Sequence, residues 1–191
     1  MTAPPPPTGG LALFARQLLL RPKEISAIAP SSAALARAMT EGLGPKTGRV
    51  VEFGPGTGAL TRAIIARGVA PADMTLFEMN PDFVAYLRNR FPGTIVHHTG
   101  AQDAGTLCPA GVGAVVSGLP LLSFPHDLRR AILMAAFAIL RPGAPYVQFT
   151  YGPRPPIPDE MIAELGLSVE RGPKFWTNLP PARVYRFRQS A

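Results

Sequence analysis

The chain has 191 residues, 47% of them apolar and 16% charged, which is enough for one domain with a sizeable core and too apolar for disorder. No uninterrupted apolar run reaches the roughly 18 to 20 residues that span a bilayer, and one cysteine, Cys108, with scattered His97, His98 and His126, offers neither an internal disulfide nor a spaced set of metal ligands, so no metal is expected. An excess of 19 Lys+Arg over 12 Asp+Glu gives a net charge of +7, which favours an anionic partner, either nucleic acid or an acidic membrane face, without choosing between them.

Residues 1–10 carry four consecutive prolines and then Gly9-Gly10, and read as an extended or disordered tail. From 11 to about 22, Leu11, Phe14, Ala15 and Leu18 recur at helical spacing while Arg16, Arg21 and Lys23 surround them with positive charge, the pattern of a basic amphipathic helix. The same stretch makes a poor signal peptide, because Arg16 and Gln17 interrupt it and no small-residue cleavage site follows. Cytoplasm is therefore the default compartment. Ser31 and Ser32 precede an alanine-rich run, where a serine is a good N-cap. Residues 11–47 thus form N-terminal helices, and 48–191 the main domain.

Beyond residue 48, short apolar runs alternate with longer helical patterns. Strands are predicted over 49–53, 74–78, 94–97, 114–117 and 146–151. Helices are predicted over 60–67, 81–91 and 126–140, with a weak turn after Asp103. This alternation implies an α/β fold with a parallel, doubly wound sheet. The most apolar helical segment, 128–140, runs into Arg141-Pro142-Gly143, a stop signal. After Tyr151 come a Pro-rich loop, a short helix from about Asp159, and strands over 167–176 and 183–188. The short connection Asn178-Leu179-Pro180-Pro181 makes these last two strands an antiparallel pair.

In Val50-Val51-Glu52-Phe53-Gly54-Pro55-Gly56-Thr57-Gly58 a buried strand ends in three alternating glycines and a helix follows at once. Glycines there let the chain turn sharply and let a ligand lie against bare backbone. A dinucleotide fingerprint spaces its glycines G-x-G-x-x-G; here the third comes one residue early, and Pro55 removes an amide donor, which suits a cofactor without phosphates. Glu78 ends the next strand, where an acidic side chain can accept hydrogen bonds from both ribose hydroxyls of a nucleoside.

Glu52-Phe53-Gly54-Pro55-Gly56-Thr57-Gly58 resembles motif I of class I S-adenosylmethionine methyltransferases, and Glu78-Met79-Asn80 resembles their acidic second motif. The resemblance extends from about Leu11 to the end. It implies a Rossmann-like, mostly parallel seven-stranded sheet with an antiparallel C-terminal pair. The S-adenosylmethionine site it implies comprises Glu52, Gly54, Gly56, Gly58, Glu78 and Met79, with Ala101 and Gln102 in the segment that holds the adenine. Ser117 and Gly118 of Ser117-Gly118-Leu119-Pro120 would lie where the methyl group meets its acceptor. Ser31 and Ser32 would belong to a loop over the methionine end as well as capping a helix.

Within that superfamily, Ala29-Pro30-Ser31-Ser32, Ser117-Gly118-Leu119-Pro120-Leu121, Gln148-Phe149-Thr150-Tyr151 and Asn178-Leu179-Pro180-Pro181-Ala182 together are most similar to bacterial phospholipid N-methyltransferases, which act on phosphatidylethanolamine, and to the related ornithine-lipid enzymes. That likeness implies a phospholipid substrate and peripheral association with an anionic membrane surface, at the inner face of the cytoplasmic membrane, through the basic helix. Motif I with Leu60-Thr61 also resembles ribosomal RNA adenine dimethyltransferases, but Ser117-Gly118-Leu119-Pro120-Leu121 lacks their asparagine and aromatic residue. RNA is therefore the second reading, and no nucleic-acid partner is expected.

Methyl transfer from a sulfonium to an amine is a direct displacement, so alignment and exclusion of water matter most. Tyr151 and Ser117 are the candidate catalytic residues. Tyr151 would end the fifth strand beside the methyl position, where its ring or hydroxyl could orient the amine; ordinary packing there is the alternative. Neither His97 nor His98 is assigned as a base, and Tyr185 and Trp176 are expected to pack in the sheet.

Overall fold

The structure is a computed structural model, and the residues it describes are 33–151, 155–176 and 181–189. The predicted helix over 11–22, the proline tail, Ser31 and Ser32 lie outside them. None of the helices among the described residues is long and apolar enough to cross a membrane.

In chain order the elements are α1 (Ala33–Met39), β1 (Val50–Phe53), α2 (Ala59–Ala66), β2 (Met74–Glu78), α3 (Pro81–Arg90), β3 (Ile95–His98), α4 (Ala104–Leu107), β4 (Ala114–Ser117), α5 (His126–Ile139), β5 (Tyr146–Tyr151), α6 (Asp159–Glu164), β6 (Leu167–Phe175) and β7 (Ala182–Gln189). The predicted weak turn after Asp103 is a 3-10 turn, Ala101–Asp103, leading into α4. The seven strands form one sheet in the order β3-β2-β1-β4-β5-β7-β6. The first five are parallel, whereas β7 runs antiparallel to both β5 and β6.

Central strands such as Val50–Phe53 and Ala114–Ser117 are buried at every residue, because helices cover both faces of the sheet. Side chains of a strand alternate between two cores. Val51, Phe53, Val115, Tyr146 and Phe187 face α5 and α6, while Val50, Leu76, Val116, Val147 and Val184 face α1, α2 and α3. Helix α5 buries Leu128, Ile132, Leu133, Ala135, Ala136 and Ile139, one stripe at helical spacing, and ends before Pro142-Gly143. Helix α3 starts where Asn80 caps it, its side chain accepting from the Asp82 and Phe83 amides at 2.8 and 3.2 Å, with Pro81 in the first turn.

From β1 the chain steps outward through β2 to β3, then returns across to β4 on the other side of β1. The strand order reverses between β1 and β4. In such sheets the ligand crevice lies beyond the carboxyl ends of the strands at this reversal. The last two strands place the sheet's far edge: β6 is the edge strand, with a register shift between Arg171 and Lys174 that spans Gly172-Pro173, the kind of interruption that blunts an open edge. Strand pairing stops at Phe175, and Trp176, expected to pack in the sheet, is instead 72% exposed. Tyr185 is buried as expected, stacked on Phe187.

Candidate functional site

Beyond the end of β1 the chain turns through Gly54, Gly56 and Gly58, all at positive φ (68°, 51° and 73°), before α2 begins. Their surroundings differ. A Cβ at Gly54 would meet the Leu119 side chain at 2.7 Å, and one at Gly58 would run into the Phe91 ring, so both positions are closed by packing. A Cβ at Gly56 would meet nothing within 4 Å. The turn therefore offers bare backbone to open space at its middle glycine, as a cradle for a flat ligand requires.

Glu78, at the end of β2 and 5% exposed, secures this turn from the neighbouring strand: its Oε2 accepts from the Gly56 amide at 3.0 Å and its Oε1 from the Asn80 amide at 2.9 Å. Each carboxylate oxygen keeps a further lone pair for a ligand hydroxyl. Glu52 lies deeper, fully buried in β1. Its Oε2 accepts from the Thr61 hydroxyl at 2.7 Å, and its Oε1 has no hydrogen-bond partner among the described residues. Burial pushes this carboxyl up to about 8, against the hydrogen bonds from Thr61 and with a smaller contribution from the negative charge of Glu78. A buried acceptor without a donor costs free energy unless something supplies one. Open backbone at Gly56, the Glu78 carboxylate bonded to its amide and the orphaned acid of Glu52 within electrostatic reach of Glu78 are donors and acceptors that fit the nucleoside and ammonium of S-adenosylmethionine.

The other residues expected around the cofactor lie in the segments that follow β2 and β3. Ala101 is buried and Gln102 exposed, its side-chain amide folded over Gly100. Thr99 donates to Asp103 and ties this turn together. Met79 is exposed, and its carbonyl oxygen lies 3.0 Å from Nε2 of His98. His97 is stacked on Phe77 at 5.0 Å.

Across the crevice, Ser117 ends β4 directly opposite Phe53 of β1 and Gln148 of β5. The Gly118 amide donates to the Phe53 carbonyl at 2.8 Å, and a Cβ on Gly118 would stand 2.9 Å from the Gly54 carbonyl oxygen, so only glycine lets the two crevice turns approach this closely. Ser117 is fully buried and its Oγ accepts from the Leu119 amide at 3.3 Å.

Two residues that the sequence did not single out as site residues hold this second turn. Gln148, buried in β5, donates from Nε2 to the carbonyls of Leu119 (2.9 Å) and Phe149 (2.8 Å), while its Oε1 accepts from the Tyr146 hydroxyl at 2.9 Å. Burial holds the Tyr146 phenol above its ordinary range, opposed by a hydrogen bond with Ser117, so it remains a donor. That donor fixes which end of the Gln148 amide faces it and turns the NH2 towards Leu119. Arg129 on α5 clamps the following turn, donating to the carbonyls of Leu121 and Phe124, each at 3.0 Å. Gln148 stood within a motif; its distant partners, 29 residues away at Leu119, left no local signal. Tyr151 ends β5 half-buried, its ring edge-on to Phe149 at 5.3 Å.

No family model matches the chain. The ornithine lipid N-methyltransferase of Singulisphaera acidiphila is 32% identical over 149 residues, which cover 74% of this chain and 78% of that protein. Among solved structures, the Burkholderia thailandensis 1,6-didemethyltoxoflavin-N1-methyltransferase, crystallised with 1,6-didemethyltoxoflavin and S-adenosylhomocysteine, superposes with a TM-score of 0.74 at 15% identity, covering 100% of this chain and 94% of its own. The 23S rRNA methyltransferase ErmE superposes with a TM-score of 0.59 at 19% identity over 84% of this chain and 69% of its own, a likeness of fold alone. The seven-stranded sheet, the glycine turn at its switch point and the identity with a lipid enzyme agree: the chain belongs to the class I S-adenosylmethionine-dependent methyltransferases, in the family of the ornithine lipid N-methyltransferase.

Proposed function

We propose that this chain transfers a methyl group from S-adenosylmethionine to the headgroup amine of an aminolipid, with ornithine lipid and phosphatidylethanolamine as the two substrates. The observation that carries the reading is the 32% identity, across 149 residues, with an enzyme that methylates ornithine lipid. Phosphatidylethanolamine rests on the sequence motifs alone. Both lipids present a primary amine at the water–lipid boundary, and the same displacement serves either.

The bound sulfonium supplies an activated methyl group, which leaves the protein to align an amine lone pair with it and keep water out. The division of labour we assign follows the crevice. Gly56, Glu78 and Glu52 hold the cofactor, with Gly54, Gly58, Met79, Ala101, Gln102 and Gly118 shaping its surroundings. Ser117 and the turn after it, fixed by Gln148, form the floor under the acceptor. Tyr151 at the end of β5 orients the amine through its ring or hydroxyl and stabilises the ammonium charge as it grows.

The test is incubation of purified protein with methyl-labelled S-adenosylmethionine and, separately, ornithine-lipid vesicles, phosphatidylethanolamine vesicles and RNA. Label is expected in lipid. Label in RNA with none in either lipid would overturn the proposal.

A further inference from the structure

The sheet's far end carries an unexplained patch. Strand β6 runs parallel to β5, since both pair antiparallel with β7, and their ends are level: Tyr151 sits opposite Ala182, which sits opposite Phe175. Trp176, one residue past Phe175, therefore lies at the same edge of the sheet as Gly54, Gly118 and Tyr151. It is the chain's one tryptophan and is 72% exposed. The Lys174 ammonium stands 3.9 Å above its ring centroid. Lys174 is paired in register with Arg183, and neither has a carboxylate partner among the described residues. Like charges directly opposite across a strand pair are destabilising. On the same edge, Leu122, just after β4, is 44% exposed.

A large exposed indole under the Lys174 ammonium, with Arg183 opposite Lys174 in the ladder and no carboxylate paired to either cation among the described residues, is the chemistry of a membrane boundary. Tryptophan is enriched where one side of the ring meets hydrocarbon and the other water, and basic side chains near an acidic leaflet are attracted to its headgroups. Core packing and sheet pairing account for neither the exposure nor the charge pair. We propose that the tip formed by Lys174, Trp176 and Arg183 docks on the surface of an anionic bilayer, the indole entering at headgroup depth, and so presents the methyl-transfer edge of the sheet to its lipid. This rests on the aminolipid reading above and adds to it a specific contact surface on the main domain, distinct from the N-terminal segment.

Because Trp176 is the sole tryptophan, its fluorescence reports the contact directly. The full chain is mixed with vesicles of phosphatidylglycerol and phosphatidylcholine, plain or carrying brominated acyl chains. The emission is expected to shift to the blue and to be quenched by the brominated lipid, and both effects should fade as salt is raised. Trp176→Ser and the double variant Lys174→Glu with Arg183→Glu should co-sediment less with these vesicles, while S-adenosylhomocysteine affinity and methylation of detergent-dispersed aminolipid stay at the parent level. Vesicle-bound protein whose emission neither shifts nor is quenched would overturn the proposal, as would variants that sediment like the parent, or a shift produced by RNA and not by vesicles. Methylation of aminolipid without the shift sinks the docking tip alone; the shift without methylation of any aminolipid sinks the substrate assignment and leaves the tip standing.

Discussion

Glu52, which we assign to the cofactor site, gives the fold a dependence on pH. Its carboxyl is pushed from 4.5 up to about 8, so the folded chain holds this proton over a range where the unfolded chain has released it. A group with a raised pKa contributes stability that is complete at low pH and lost as pH climbs to the folded value, here between about 4.5 and about 8. Denaturation of the cofactor-free protein should show this loss, and Glu52→Gln should remove it; parallel pH profiles for the two proteins would refute the assignment. A cation placed at the orphaned Oε1 favours the ionised form, so binding of S-adenosylhomocysteine near neutral pH should expel a proton, seen as a binding enthalpy that depends on the buffer's ionisation heat. Gly56→Val puts a branched side chain both into the open cradle and at φ 51°, a left-handed backbone it adopts poorly. It should abolish calorimetric binding of S-adenosylhomocysteine while circular dichroism remains that of a folded domain. Tyr151→Phe and Tyr151→Ala should lower turnover with cofactor affinity nearly unchanged, as for a group acting mainly in the transition state, and full activity in both would return Tyr151 to a packing role.

Between elements, the decisive contact is the bridge that Gln148 makes from β5 to the turn after β4. Gln148→Leu removes one partner from the buried Tyr146 hydroxyl, which keeps its hydrogen bond with Ser117, and one from the half-buried Leu119 carbonyl, at about 0.5 to 1.5 kcal/mol for each hydrogen bond lost. Urea denaturation should show the loss, and turnover should fall more than cofactor affinity, because we assign the turn it releases to the acceptor side. Equal effects on both would mean that Gln148 merely supports the core. How legible such features were in the sequence depends on their range. Val50–Phe53, Met74–Glu78 and Ala114–Ser117 announced themselves because a strand covered on both faces is apolar at nearly every position, and the glycine turn because a left-handed backbone leaves few alternatives. The insertion of β7 between β5 and β6 was not readable, since both final strands mix polar and apolar residues and either could have met β5. Trp176 misled for a related reason: Phe175-Trp176 looks like the end of a core strand, but the ladder stops at Phe175 and leaves the indole outside it.

For the whole molecule, the surplus of positive charge and the apolar residues of the N-terminal segment bear on how a lipid substrate is reached. The pattern Leu11, Phe14, Ala15 and Leu18 with Arg16, Arg21 and Lys23 is that of a helix lying in an anionic interface, a reading that stands on sequence because residues 1–32 are outside those described. Each basic residue near an acidic leaflet contributes about 1 kcal/mol, so three together contribute about 3 kcal/mol, or roughly a hundredfold in binding. Reversing Arg16, Arg21 and Lys23 should therefore weaken co-sedimentation with acidic vesicles by at least that factor at low salt, and Phe14→Glu should weaken it at all salt concentrations, because burial of an apolar ring is not screened. Both variants should bind S-adenosylhomocysteine like the parent, which separates a lost anchor from a lost fold. They should also methylate detergent-dispersed aminolipid normally and vesicle lipid slowly. Parent-level methylation of vesicle lipid by both variants would show that the segment is not the anchor and leave the membrane contact to other surfaces of the chain.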